Sequence, residues 1–156
     1  MFSIIRILIR EIGQIVSVLG ALSFEQTKLV SNLCNHVMGL DGSVALVSMI
    51  NRHGRTVESK TRADLPFSGL TKYESDLINM QRVLQMQMTK DFDDKLGSTT
   101  MSIIRRNGCT ECIFPFYDGV IFVIFSSTKT FEQTAERIST AIQEFNFDIA
   151  TKNVAC

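Results

Sequence analysis

The hydrophobic positions along this chain change period several times, and each change marks an element. Leu29, Val30, Leu33, Val37 and Met38 recur at helical spacing behind Ser23, an N-cap type with Gln26 at the capping-box position, and Gly39 supplies a stop, so a helix is expected over about 24–38. Val44 to Ile50 is a β-rich apolar run, Asn51-Arg52-His53-Gly54 is turn chemistry, and Arg55 to Lys60 alternates; together they predict a hairpin closed off by the Pro66 and Gly69 loop. Thr71, with Glu74 three positions on, opens a long helix whose stripe is Tyr73, Leu77, Met80, Leu84 and Met88 and which Gly97 ends. Three strands follow at about 99–105, 111–117 and 120–127, joined through Asn107-Gly108 and Asp118-Gly119, and a last helix runs over about 130–145 with Thr130 as its cap and a face of Phe131, Ala135, Ile138, Ile142 and Phe145.

Two strands carry more information than the rest. Val120-Ile121-Phe122-Val123-Ile124-Phe125 shows no polar alternation, so both of its faces must be covered and it belongs in the middle of a sheet. Residues 99–105 are partly polar and suit an edge, where unpaired backbone groups invite another chain.

Residues 1–22 have a wide apolar face (Ile5, Leu8, Ile9, Ile12, Ile15, Val16 and Leu19), with Ser3, Arg6, Arg10, Gln14 and Ser17 opposite. The charges inside the stretch exclude a signal core, and a membrane span needs ~20 mostly apolar residues in a row. An amphipathic helix is expected that packs on protein, with a membrane surface as the competing site. The domain division is therefore 1–22 amphipathic helix, 23–147 body and 148–156 C-terminal tail.

The chain has 156 residues, 45% of them hydrophobic, and 16 Lys plus Arg balance 16 Asp plus Glu. That suffices for one domain with its own core, and charge balance argues against a dedicated nucleic-acid binder. With two histidines, His36 and His53, and neither GxxxxGK[ST] nor GxGxxG, no histidine-based catalyst or phosphate cradle is expected. No cofactor or metal is expected either. Cys109-Thr110-Glu111-Cys112 is a CxxC, but it follows turn signals and runs into a strand, so it lacks the helix N-terminus that activates a redox thiol and reads as a hairpin tip. Asp91, Asp93 and Asp94 read as a solvated face, unfavourable at a helix C-terminus, so the helix is expected to fray after Phe92.

Taken together, residues 24–145 resemble the Roadblock/LC7 family, in element order, in the run from Val44 to Gly54 and in the late apolar strand Val120 to Phe125. The chain is also similar to a set of small archaeal proteins, through Phe92-Asp93-Asp94-Lys95-Leu96-Gly97 and Ile113-Phe114-Pro115-Phe116. The resemblance implies an α+β, profilin-like domain: a five-stranded antiparallel sheet sandwiched between helices in the order α-β-β-α-β-β-β-α, preceded here by the extra N-terminal helix. The first and last body helices would share one face and the middle helix would cover the other. It further implies a non-catalytic protein, forming homodimers or heterodimers through the middle helix and its edge strand, as scaffold or regulator of a small GTPase; four cysteines without a disulfide-like spacing separately point to a reducing, cytoplasmic setting, with membrane association through residues 1–22 as the variant. The alternative is a small-molecule sensor of PAS or GAF type.

On the middle helix, core packing is expected to claim Tyr73, Leu77, Met80 and Leu84. Met86, about 200° round the wheel from Leu84, then faces outward. With Thr100, Ser102 and Ile104 of the edge strand it makes the expected partner interface.

Overall fold

A computed structural model describes residues 24–62, 69–117, 119–126 and 131–154. The segment expected as the N-terminal helix, and the caps Ser23 and Thr130, lie outside the described residues. The elements in order are α1 (Phe24–Leu40), β1 (Val44–Ile50), β2 (Thr56–Thr61), α2 (Lys72–Lys90), a short α3 (Asp93–Leu96), β3 (Ser102–Arg105), β4 (Thr110–Phe116), β5 (Gly119–Phe125) and α4 (Phe131–Val154). The five strands form one antiparallel sheet in the order β2-β1-β5-β4-β3.

β5 is the central strand, and every one of its residues is buried. Its side chains alternate between two cores. Ile121, Val123 and Phe125 meet Val30, Leu33, Cys34 and Val37 of α1 and Phe131, Ala135, Ile138 and Ile142 of α4. Val120, Phe122 and Ile124 meet Val83 and Met86 of α2 on the other face. The expected sandwich is present, with unequal sides: α1 and α4 each send four buried apolar side chains to the sheet, whereas α2 sends two, a contribution of roughly 3–6 kcal/mol at ~1.5–3 kcal/mol each.

Several boundaries differ from expectation for local reasons. The middle helix stops at Lys90 and resumes as α3, after which the Asp93 carboxylate accepts from the Thr99 backbone N–H at 3.1 Å and the Thr99 hydroxyl at 3.3 Å. The last helix continues through the expected tail as far as Val154. The edge strand is shorter than expected, starting at Ser102 opposite Ile113, so among the described residues β4 runs on without an outer neighbour at Phe114–Phe116. Pro115, which has no N–H to donate, occupies that stretch.

The β4–β5 turn also shifts. Gly119 is not a turn residue: it pairs with Phe116 inside the ladder, where a Cβ would stand 2.0 Å from the Ile50 carbonyl oxygen. The left-handed backbone of the turn therefore falls on Tyr117, at φ 52°.

Candidate interaction surface

α2 begins as expected. The Thr71 hydroxyl accepts from the Glu74 N–H at 3.2 Å and the Glu74 carboxylate accepts from the Thr71 N–H at 2.8 Å, a complete capping box. Those bonds from Thr71 hold the Glu74 carboxyl below its ordinary range.

The face that α2 turns to the sheet is not the large apolar stripe. Val83 and Met86 are buried, Met86 at 1% exposure, while Tyr73 (75%), Leu77, Leu84 and Met88 (68%) lie in solvent. Expectation is thus inverted on this helix. Met86 is core and unavailable to a partner; of the residues assigned to the core, Tyr73, Leu77 and Leu84 are exposed, as is Met88, while Met80 is half-buried against the first hairpin. The physical reason is that polar residues hold the inner face. The Arg82 guanidinium lies 3.5 Å from the centroid of the Phe122 ring, within reach of Glu111 at 3.7 Å, and donates to the Asn79 side-chain carbonyl at 2.9 Å. Asn79 in turn donates to the Thr56 hydroxyl of β2 at 3.2 Å. At the turn of the first hairpin the helix comes so close that a Cβ on Gly54 would stand 3.2 Å from Met80 Cε, and Gly54 has φ +76°.

Glu111 is 1% exposed and joins two arginines: Oε1 accepts from Arg106 Nε at 2.8 Å, and Oε2 faces Arg82. Burial pushes Arg82 down to about 10, against the pull of Glu111, whereas the hydrogen bond to Glu111 pushes the exposed Arg106 up. Sequence reasoning missed Glu111 because it sits inside the CxxC. An available signal was a charge in the middle of an otherwise buried strand.

The two thiols of that motif are not at an exposed tip. Both are buried, Cys109 in the core under α2 and Cys112 in the core under α1 and α4, on opposite faces of the sheet. Burial pushes Cys112 up to about 12 and raises Cys109 as well. Among the described residues no group of three or more His, Cys, Asp or Glu could hold a metal ion, and no helix is long and apolar enough to cross a membrane.

The expected edge residues divide between the two faces. Ser102 and Ile104 lie on the α2 side, Ile104 packed against that core and the Ser102 hydroxyl accepting from the Gln85 amide at 3.2 Å. Ile103 is exposed and alternates to the α4 side, where Arg105 lies 3.8 Å from Glu132 and over the Phe131 ring. Thr100 is exposed in the loop ahead of the strand. The outer edge of β3 has no strand partner among the described residues. At the other end of the sheet β2 carries Glu58 and Lys60, charges that discourage pairing, whereas β3 carries two isoleucines. α2 crosses the sheet from the β2 edge, where Asn79 meets Thr56, to the β3 edge, where Gln85 meets Ser102, so of the exposed apolar residues Leu84 and Met88 belong to the half of the helix next to β3.

No family model matches the sequence, and no curated protein matches it. Solved structures do. The gliding protein MglB from Thermus thermophilus superposes with a TM-score of 0.60 at 12% identity, covering 82% of this chain and 96% of that one. Myxococcus xanthus MglB gives 0.63 at 11% identity over 84% and 95%, and a Roadblock/LC7 domain from Streptomyces avermitilis gives 0.53 at 6% over 78% and 95%. The chain has the fold of the Roadblock/LC7 domains.

Proposed function

We propose that this protein is a dimerisation and docking module that works by surface contact rather than by catalysis. The observations that carry this reading are the exposed apolar residues Leu84 and Met88 on the half of α2 that Gln85 ties to β3, and the outer edge of β3, which has no strand partner among the described residues. In the assembly, β3 of one copy pairs with β3 of the next, with Thr100, Ser102 and Ile104 at the seam, and the α2 stripes close over it; homodimer and heterodimer use the same elements. A structure titled MglB with a tetrameric arrangement, with TM-score 0.52 and 11% identity, supports self-association as a property of this fold. The partner class we propose for the assembled module is a small GTPase, on the strength of the Roadblock/LC7 likeness. Residues 1–22 add packing area to the assembly in this reading.

Light scattering tests it. The wild-type chain is expected at twice its monomer mass, and Leu84→Glu with Met88→Glu at monomer mass with unchanged circular dichroism. A wild-type monomer, or a dimer untouched by the double change, would sink the proposal.

A further inference from the structure

The two helical layers are anchored to the sheet in different ways. On one face α1 and α4 each bury four apolar side chains against it. On the other α2 buries Val83 and Met86, and Met80 lies half-buried against Gly54 of the first hairpin. The rest of its attachment is polar. Asn79 to Thr56 and Gln85 to Ser102 are single hydrogen bonds near the solvent, of the kind that water replaces at little cost. Arg82 works against closure. Its guanidinium is nearly stripped of water, yet Nε makes no hydrogen bond, so the attraction of Phe122 and Glu111 is set against lost hydration.

We propose that α2 is a detachable cover: it lifts from β4 and β5 as one unit while α1, α4 and the sheet stay packed. Opening withdraws two apolar side chains from the core but returns Arg82 to water, so it lies below global unfolding in free energy. Assembly is regulated by this equilibrium, because Leu84 and Met88 stand beside the edge of β3 only while α2 is closed. A second copy that touches both elements holds the cover down. That coupling rests on the docking reading above; the opening itself does not.

Three buried thiols report which layer opens: Cys109 lies under α2, Cys34 and Cys112 under α1 and α4. The experiment is timed labelling of the folded full chain with N-ethylmaleimide, the sites assigned by peptide mass. Cys156→Ser removes the fourth thiol and Met88→Glu removes self-association. Cys109 is expected to react roughly tenfold faster, or more, than Cys34 and Cys112. Met86→Ala, which loosens α2, is expected to speed Cys109 by roughly thirtyfold or more. Ile138→Val, which loosens α4, is expected to speed Cys34 and Cys112 severalfold and to leave Cys109 unchanged. One common rate for all three thiols, or acceleration of Cys109 by Ile138→Val, means that the layers unfold together and overturns the proposal. Indifference of Cys109 to Met86→Ala overturns it too, since fraying of the β3–β4 hairpin then exposes the thiol. With Met88 restored, labelling of Cys109 is expected to slow as protein concentration rises. No slowing where light scattering finds a dimer overturns the coupling, whereas the lack of any dimer is a failure of the docking reading.

Discussion

Arg82 of α2 and Glu111 of β4 face one another across the interior at 3.7 Å, and Glu111 also holds Arg106. The two positions are not equivalent. Glu111→Gln would leave two guanidinium groups converging on a neutral amide, one of them desolvated against Phe122, and is expected to cost about 3–5 kcal/mol in urea unfolding. Arg82→Met keeps the apolar contact with Phe122 while Arg106 still neutralises Glu111, so a cost of about 1–2 kcal/mol is expected.

Met86 and Leu84 are two residues apart on the same helix and should behave oppositely. Met86→Ala opens a hole between α2 and the sheet and is expected to destabilise by about 2–4 kcal/mol. Leu84 is half exposed, so Leu84→Ala is expected to cost less than about 1 kcal/mol when measured in a monomeric background such as Met88→Glu. Equal losses at both sites would contradict the inward and outward assignment of the helix faces.

The β4–β5 hairpin yields a pair of opposite signs. Gly119→Ala places a methyl group 2.0 Å from the Ile50 carbonyl oxygen, so β1 and β5 must separate; a loss of more than ~3 kcal/mol is expected. Tyr117→Asn puts a residue tolerant of positive φ at 52° and is expected to raise stability by about 0.5–1 kcal/mol. Chemical denaturation of the two variants reads both.

Asp41 makes the fold sensitive to acid. Its carboxylate accepts from the Ser43 N–H at 2.8 Å and from the Thr134 hydroxyl at 2.9 Å, and these bonds hold its folded pKa below the ordinary 3.8. A depressed folded pKa means that the unfolded chain takes up the proton first as pH drops. The contribution is therefore complete above the unfolded value and is lost as pH falls from about 4 through the folded value. Asp41→Asn is expected to lower the thermal midpoint at neutral pH and to flatten its fall below pH ~4; parallel curves for variant and wild type would refute this.

Burial pushes both Cys34 and Cys112 up to about 12. At pH 8 they are expected to stay unmodified by a disulfide reagent in the native protein, and to react within seconds once it is unfolded in guanidinium. Native reactivity at Cys112 would reopen the redox reading of the CxxC.

The succession of helices and strands could be read from the chain because each element announces its own period, and β5 could be placed centrally because six consecutive apolar residues leave no face for water. The inner face of α2 could not. Apolar periodicity marks a face that needs covering without saying whether the cover comes from the same chain, and on α2 the inner face is held by Asn79 and Arg82, which look like surface residues in sequence. Gly119 misled in a similar way: beside Asp118 it imitates a turn, while its absent side chain serves the close approach of Ile50 on a strand far away in sequence. The edge position of β3 was legible, but its late start was not: Thr99 reads as strand in the sequence, whereas its N–H is bonded to the Asp93 carboxylate and pairing with β4 begins at Ser102.

The strand order carries a consequence for how the chain is made. β1–β2 and β3–β4 are each local hairpins, but they share a sheet only through β5, and its pairing with β1 joins residue 50 to residue 120. A two-stranded hairpin is marginal in water by itself. As the polypeptide leaves the ribosome, its first half must therefore wait, with β1 unprotected along one edge, until the strand before the last helix has emerged. Closure of that long loop should limit the folding rate, and the interval before it is when the apolar run from Val44 to Ile50 is most exposed to aggregation.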